Sequence, residues 1–107
     1  MVHKNSMTEA IKRLKSNNTE DVTNALLYLT FNMSEFDKVQ EFVAKMIDSE
    51  NEDVAGLAIT CLGHLARIHG KIDKKKIIPL LMSKAKNKRF FGRVQDALDD
   101  INMFTST

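Results

Sequence analysis

The stretch Ala58-Ile59-Thr60-Cys61-Leu62-Gly63-His64-Leu65 decides the fold of this chain, because its pattern of small and apolar residues recurs at a fixed distance. The pair Cys61-Leu62 has a counterpart in Ala25-Leu26, 36 residues earlier, and in Ala97-Leu98, 36 residues later. The apolar positions on either side repeat in the same register, as Val22, Ala58, Val94 and as Leu29, Leu65, Ile101. A constant period of this size is typical of stacked helical hairpins. We therefore predict an all-α protein with six helices in three stacked hairpins, an α-solenoid with a period of about 36 residues.

The helix boundaries follow from capping residues and from the spacing of apolar side chains on one helix face. We predict helices over about residues 6–15, 19–31, 34–48, 53–69, 73–86 and 90–104. The fourth is the most apolar and should lie in the middle of the domain. Pro79 should kink the fifth helix or delay its regular start. The expected caps are polar residues at the N-termini and a glycine at the end of the fourth helix: Ser6 (with Glu9), Thr19, Ser34, Asp73 and Gly70.

Composition limits the class of protein. A single cysteine excludes an internal disulfide. No apolar run approaches the roughly 20 residues of a membrane span, and the N-terminus lacks the apolar region of a signal peptide. We therefore expect one domain over residues 1–107, located in the cytoplasm and without membrane contact.

The chain lacks a recognisable catalytic or metal-binding motif. Cys61 and His64 are one helical turn apart, which can indicate a thiol–imidazole pair. However, Cys61 occupies a core position that alanine fills in the other two repeats, so we expect it to be buried and unreactive. There is no cysteine cluster, His-Glu-x-x-His pattern or glycine-rich phosphate loop. The sequence thus predicts no enzyme, no metal and no cofactor, and favours a binding module.

The segment from Asp48 to Leu65 resembles a HEAT repeat. An acidic turn precedes Val54, and small and leucine positions follow, ending in Leu62-Gly63-His64-Leu65. The arginine that usually follows the valine is replaced by Ala55. The segment Ile77-Ile78-Pro79-Leu80-Leu81 is similar to a HEAT first helix. The resemblance covers about residues 19–104, and it implies a solenoid whose second helices line the concave side.

A narrower resemblance concerns function. The stretches Gly56 to Gly70 and Ala97 to Ile101 are similar to those of small bacterial HEAT-like proteins. Some of these look like immunity proteins of contact-dependent or polymorphic toxin systems. This resemblance implies a 1:1 complex with a cognate toxin protein, often a nuclease, which the immunity protein neutralises by direct binding.

The predicted partner-binding site is a polar strip on the second helices. Positions 36 residues apart should be neighbours on adjacent helices, which gives two polar rows and two flanking residues. The strip consists of Asn24, Thr60 and Asp96, of Tyr28, His64 and Asp100, and of the flanking Arg67 and Asp99. Tyrosine offers contact area with a polar group, and aspartates can form charge-assisted hydrogen bonds to a basic toxin. Alternatively, His64 and Asp100 pair only with each other.

Two further alternatives stay open at this point. The small residues Gly56, Thr60 and Gly63 either form a platform for a partner or allow a neighbouring helix to approach closely, and we favour the second interpretation. The basic segment 71–93 holds nine Lys/Arg residues against Asp73, which could indicate a nucleic-acid-binding module. Residues 1–70 carry 7 Lys/Arg and 10 Asp/Glu, so a basic groove along the whole chain is not expected. A general protein adaptor is the remaining alternative.

Overall fold

The computed structural model describes residues 6–106, apart from the side chain of Ser6. Within this range the chain is entirely helical and contains six helices, which confirms the predicted class and helix number. The helices are α1 (Ser6–Arg13), α2 (Thr19–Asn32), α3 (Phe36–Met46), α4 (Glu52–His69), α5 (Lys74–Lys84) and α6 (Lys88–Phe104). The capping box predicted for α1 depends on the Ser6 side chain, which lies outside the described part.

Asparagine side chains cap the N-termini of three helices. Asn18 Oδ1 accepts a hydrogen bond from the backbone N–H of Asp21 at 3.1 Å, so Asn18 and not the predicted Thr19 caps α2. Asn51 caps α4 in the same way, and Asn87 caps α6. The cap at Asn87 starts α6 two residues before the predicted Phe90. In each case the side-chain oxygen satisfies a backbone donor that the first helical turn leaves free.

Two predicted helix ends are confirmed and two expectations are wrong. Asp73 caps α5, and Gly70 ends α4 in the left-handed conformation with φ 69°. Ser34 does not cap α3, because its carbonyl accepts the Phe36 N–H in a turn and α3 begins one residue after Glu35. A late start of α5, one of the two expected effects of Pro79, is not found, since the helix runs from Lys74 through Pro79, and a kink at Pro79 stays a prediction.

Helices α2, α4 and α6 lie side by side and run parallel, with α4 between the other two. At their N-terminal ends, Asn51 donates a hydrogen bond to Thr19 Oγ1 at 2.7 Å. Arg89 forms an ion pair with Glu52, also at 2.7 Å. At the other end, the rings of Phe31 on α2 and His64 on α4 lie 5.1 Å apart. The predicted central position of α4 is therefore confirmed.

The other three helices each pack against the helix that follows them in the chain. α1 packs on α2, α3 on α4, and α5 on α6. Two polar links tie α3 to the segment around α5: Asp73 N–H donates to Gln40 Oε1 at 2.8 Å, and Lys84 pairs with Asp48 at 3.0 Å. The thin dimension of the chain is 18 Å, which fits two layers of helices with axes about 8–10 Å apart.

The repeating apolar positions form the core between these layers. The three rows that begin with Val22, Ala25 and Leu29 are buried in all three repeats, and Cys61 is fully buried within them. The fourth row contains one exception, because Leu98 is only half-buried, whereas Leu26 and Leu62 are completely buried. Leu98 lies on α6, which within residues 6–106 packs mainly against α4 and α5, whereas α4 is covered by α2, α3 and α6.

The small residues on α4 allow α6 to approach closely. A Cβ atom at Gly63 would lie 3.0 Å from Ala97 Cα and 3.0 Å from Asp100 Oδ2. A Cβ atom at Gly56 would lie 3.0 Å from Arg93 Nε, because the Arg93 side chain covers this part of α4. Gly63 therefore allows the close approach of α6 that is favoured above, whereas Gly56 is covered by the Arg93 side chain and Thr60 lines a groove.

A pair of glycine substitutions tests this packing. Gly63→Ala should lower the free energy of unfolding, because the about 1–3 kcal/mol of overpacking against the α6 backbone exceeds the helix-propensity gain of about 1 kcal/mol. Gly92→Ala on α6 is the matched control, since nothing lies within 4 Å of its Cβ position. It should raise stability by about 1 kcal/mol. Urea unfolding measures both values. Equal stabilisation by the two substitutions would contradict the close contact between α4 and α6.

Candidate partner-binding surface

An open groove of about 340 Å³ lies between α4 and α6. Its lining includes five of the eight residues predicted for the polar strip. The lining residues are Thr60, His64, Asp96, Ala97, Asp99 and Asp100. The parallel alignment of α4 and α6 brings these side chains together across the helix pair. The α4 and α6 part of the predicted strip therefore forms one continuous polar surface.

The other three predicted residues lie outside the groove. Arg67 is at its edge and donates a hydrogen bond from Nη2 to His64 Nδ1 at 3.0 Å. Asn24 on α2 is exposed and is separate from the groove. Tyr28 is half-buried against the core, so only part of its ring faces solvent. The α2 contribution to the strip is thus smaller than the sequence predicted.

The surroundings of His64 favour its neutral form. Burial lowers the pKa of its imidazole, the nearby Arg67 charge lowers this pKa further, and Asp100 opposes the shift. Because the arginine can only donate, Nδ1 accepts and the imidazole proton lies on Nε2. The alternative that His64 pairs with Asp100 is therefore wrong: its hydrogen-bond partner is Arg67, from the same helix.

The three aspartates of α6 have no cationic partner within residues 6–106, where ion pairs occur only at other positions. Asp96 is three residues before Asp99 and four before Asp100, so the carboxylates face one another on the helix surface. Each such like-charge pair destabilises a helix by roughly 0.2–0.5 kcal/mol. The groove therefore presents negative charge that the fold itself does not use for stability.

Two residues at this surface were missed by the sequence analysis. Phe31 is 48% exposed and packs against His64, and Arg93 donates a hydrogen bond to Thr60 Oγ1 at 2.7 Å. Phe31 lies 36 residues before Arg67, in the row one turn beyond Tyr28. Extending the row comparison by one turn would have found it. The repeat pattern gives no comparable indication for Arg93, because its contact depends on how its long side chain lies over α4.

Exposed apolar side chains lie toward the C-terminal ends of α2, α4 and α6. Phe31 stands on α2, and Ile68, one turn after His64 on α4, is 42% exposed. Met103 and Phe104 near the end of α6 are 73% and 41% exposed. Large apolar side chains grouped at one end of a polar groove are typical of a protein-binding surface.

The basic segment 71–93 does not form a free cationic stripe. Five of its nine cationic side chains contact other groups of the chain. Lys71 stands over the Phe36 ring, Lys74 donates to the Ser106 carbonyl, Lys84 pairs with Asp48, Arg89 pairs with Glu52, and Arg93 bonds Thr60. Phe90 is buried as predicted, so it offers no face for base stacking. Within the described part of the chain, only Lys84 and Arg89 of this segment are paired with a carboxylate, and the neighbouring Phe91 is 52% exposed, so the nucleic-acid alternative stays a prediction.

The remaining expectations concern chemistry and membranes. Cys61 is fully buried, and burial raises the pKa of its thiol, which disfavours the reactive thiolate. Residues 6–106 contain no group of three or more side chains able to hold a metal ion. None of the described helices is long and apolar enough to cross a membrane.

Comparisons with known proteins give one informative result. No protein-family model matches this chain, and no curated protein matches it. Among solved structures, it is similar to a chain in the crystal structure of a CDI complex from Cupriavidus taiwanensis LMG 19424. The TM-score is 0.82 at 26% sequence identity, and the match covers 92% of this chain and 89% of that chain. The similarity therefore extends over the whole helical domain and not over a single hairpin.

The lowered pKa of His64 predicts how the free energy of unfolding depends on pH. Because its pKa is lowered on folding, the unfolded chain binds more protons than the folded chain as the pH falls below about 6.5. Part of the stability should therefore be lost below this pH, and the loss should level off below the folded-state pKa. His64→Gln should remove this part, and Arg67→Gln should raise the pKa of His64. Unfolding at about pH 7.5 and about pH 5.5, with an NMR titration of His64, measures both effects. An identical pH dependence in wild type and His64→Gln would contradict the assignment.

Proposed function

We propose that this protein is an immunity protein that binds and neutralises a cognate bacterial toxin. The observation that carries the proposal is the similarity to a chain of a CDI complex over 92% of the sequence, at a TM-score of 0.82. We take CDI to stand for contact-dependent growth inhibition, the kind of toxin system that the sequence also resembles. The fold similarity supports the same kind of toxin system, and the sequence resemblance supports the role of immunity protein within it.

We also propose that the six helices form a HEAT-like solenoid of three hairpins. The parallel alignment of α2, α4 and α6, each preceded by a helix that packs against it, supports this arrangement. In a stack of hairpins, one layer of helices offers an extended surface for a partner. The groove between α4 and α6 lies on such a layer.

The proposed toxin-binding surface is the predicted polar strip, centred on the groove and extended to its apolar border. The groove residues would make the polar contacts, with Arg67 at the edge and with Asn24 and Tyr28 at the periphery. Exposed carboxylates that stabilise nothing inside the protein are suited to charge-assisted hydrogen bonds with a basic partner. A nuclease toxin, which binds a polyanionic substrate, would present such a basic surface.

The protein would act by binding alone, in a 1:1 complex in the cytoplasm. The buried Cys61 and the neutral, Arg67-bound His64 do not form a nucleophile and base within reach of a substrate. Inhibition would therefore follow from covering a surface of the toxin, and neither a cofactor nor a metal is required for it.

Capture of the partner tests this function. Immobilised wild type is expected to retain one stoichiometric protein from a lysate of the source cell at moderately high salt, and Asp100→Lys should lose it. Glu50→Lys is the matched control, because it makes the same charge change at an exposed position in the turn before α4. Expression of the captured protein alone should stop bacterial growth, and co-expression with wild type should restore growth. Many weak partners, or a single partner without effect on growth, would favour a general adaptor instead.

A further inference from the structure

We infer that the groove recognises a basic amphipathic segment of the partner, with a Lys or Arg side chain entering between α4 and α6 and an apolar side chain resting beside Phe31 and Ile68. This inference deepens the proposed function and rests on it, since it names the chemistry of the toxin epitope. It depends on how the apolar and acidic parts of the surface are joined.

His64 lies between the apolar part and the acidic part of this surface. One side of its ring packs against Phe31, with the ring centroids 5.1 Å apart, and the residue also lines the groove with Asp100. Ile68 follows His64 by four residues on α4, so the two side chains are neighbours on one face of the helix. An occupant that contacts His64 therefore meets apolar groups toward α2 and carboxylates toward α6.

The three aspartates in the groove favour a positively charged group of the partner and disfavour a negatively charged one. Asp96, Asp99 and Asp100 line the α6 side of the groove and have no ion-pair partner within the described residues. An incoming Lys or Arg would relieve their mutual repulsion and could donate hydrogen bonds from its N–H groups to two or more of the carboxylates. A nucleic acid would instead bring its phosphates against these carboxylates, which is unfavourable.

Arg67 makes the charge distribution across the groove asymmetric. It is exposed at the edge of the groove and held by His64 Nδ1, so a positive charge stands on the α4 side, opposite the aspartates. A cationic side chain is repelled on the α4 side and attracted on the α6 side. The basic residue of the partner should therefore lie on α6, and its apolar residue should lie over Phe31.

Selection from a phage-displayed library of random linear peptides tests the inference without knowledge of the toxin. Peptides enriched on immobilised wild type should carry Lys or Arg close to an apolar residue. Their binding should fall by about tenfold or more on the variant Asp96→Asn/Asp99→Asn/Asp100→Asn, as expected when charge-assisted contacts are lost. Glu35→Gln/Asp37→Asn/Glu50→Gln is the control, since it removes three exposed carboxylates away from the groove and should leave binding unchanged.

A second variant separates the apolar contact from the charged one. Phe31→Ser should abolish the preference for the apolar residue while the selected peptides remain basic. The Asp→Asn variant should unfold at the same or a higher urea concentration than wild type, because it removes only like-charge repulsion. This measurement excludes loss of the fold as the reason for lost binding.

Several results would overturn the inference. These are failure to enrich any peptide, enrichment of peptides without basic residues, and equal loss of binding in the control variant. Concentration-dependent dimerisation of wild type that the Asp→Asn variant abolishes would assign the groove to a second copy of this chain. None of these outcomes affects the capture and growth experiment, so the toxin-binding function could stand while this epitope is wrong.

Discussion

The contact between α4 and α6 at Gly63 is the constraint on which the rest of the structure depends. The missing side chain lets the backbone of α6 approach to the point where even a methyl group would touch Ala97 Cα. This approach sets how near the two helices lie, and their parallel course places Asp96, Asp99 and Asp100 in the same groove as Thr60 and His64. The absence of a side chain at Gly63 therefore influences both the packing in the core and the shape of the groove at the surface.

The basic residues and the acidic residues of these helices differ in how many contacts they make within the chain. The basic residues of segment 71–93 largely contact the chain itself, through ion pairs, hydrogen bonds and the ring of Phe36. The aspartates of α6 do not, although they follow the basic segment directly in the sequence. A basic overall composition thus coexists with a surface groove that is acidic. This acidic groove is the reason why we propose a protein partner for this surface.

Periodicity made most of the fold predictable, because each repeat fills the same core position with a residue of similar size. The rows around Ala25, Cys61 and Ala97 and the central position of α4 follow directly from it. The helix starts were less predictable, since Asn18, Asn51 and Asn87 compete with neighbouring Ser, Thr and Asp residues of comparable capping strength. At the surface, the row comparison grouped the groove residues correctly but could not foresee that Arg67 would bind His64 or that Arg93 would cover Gly56. Such contacts depend on long side chains with many rotamers, which a repeat pattern does not specify.

The burial of α4 on several sides has a consequence for the order in which the chain can fold during synthesis. α4 packs against α2 and α3, which precede it, and also against α6, which leaves the ribosome only after about 20 further residues. Until then its α6-facing side, which includes Gly63, lacks its partner helix. The nascent chain therefore passes through a stage in which its most apolar helix is only partly covered. Chaperone contact and premature aggregation would be concentrated at that stage, and completion of α6 would end it.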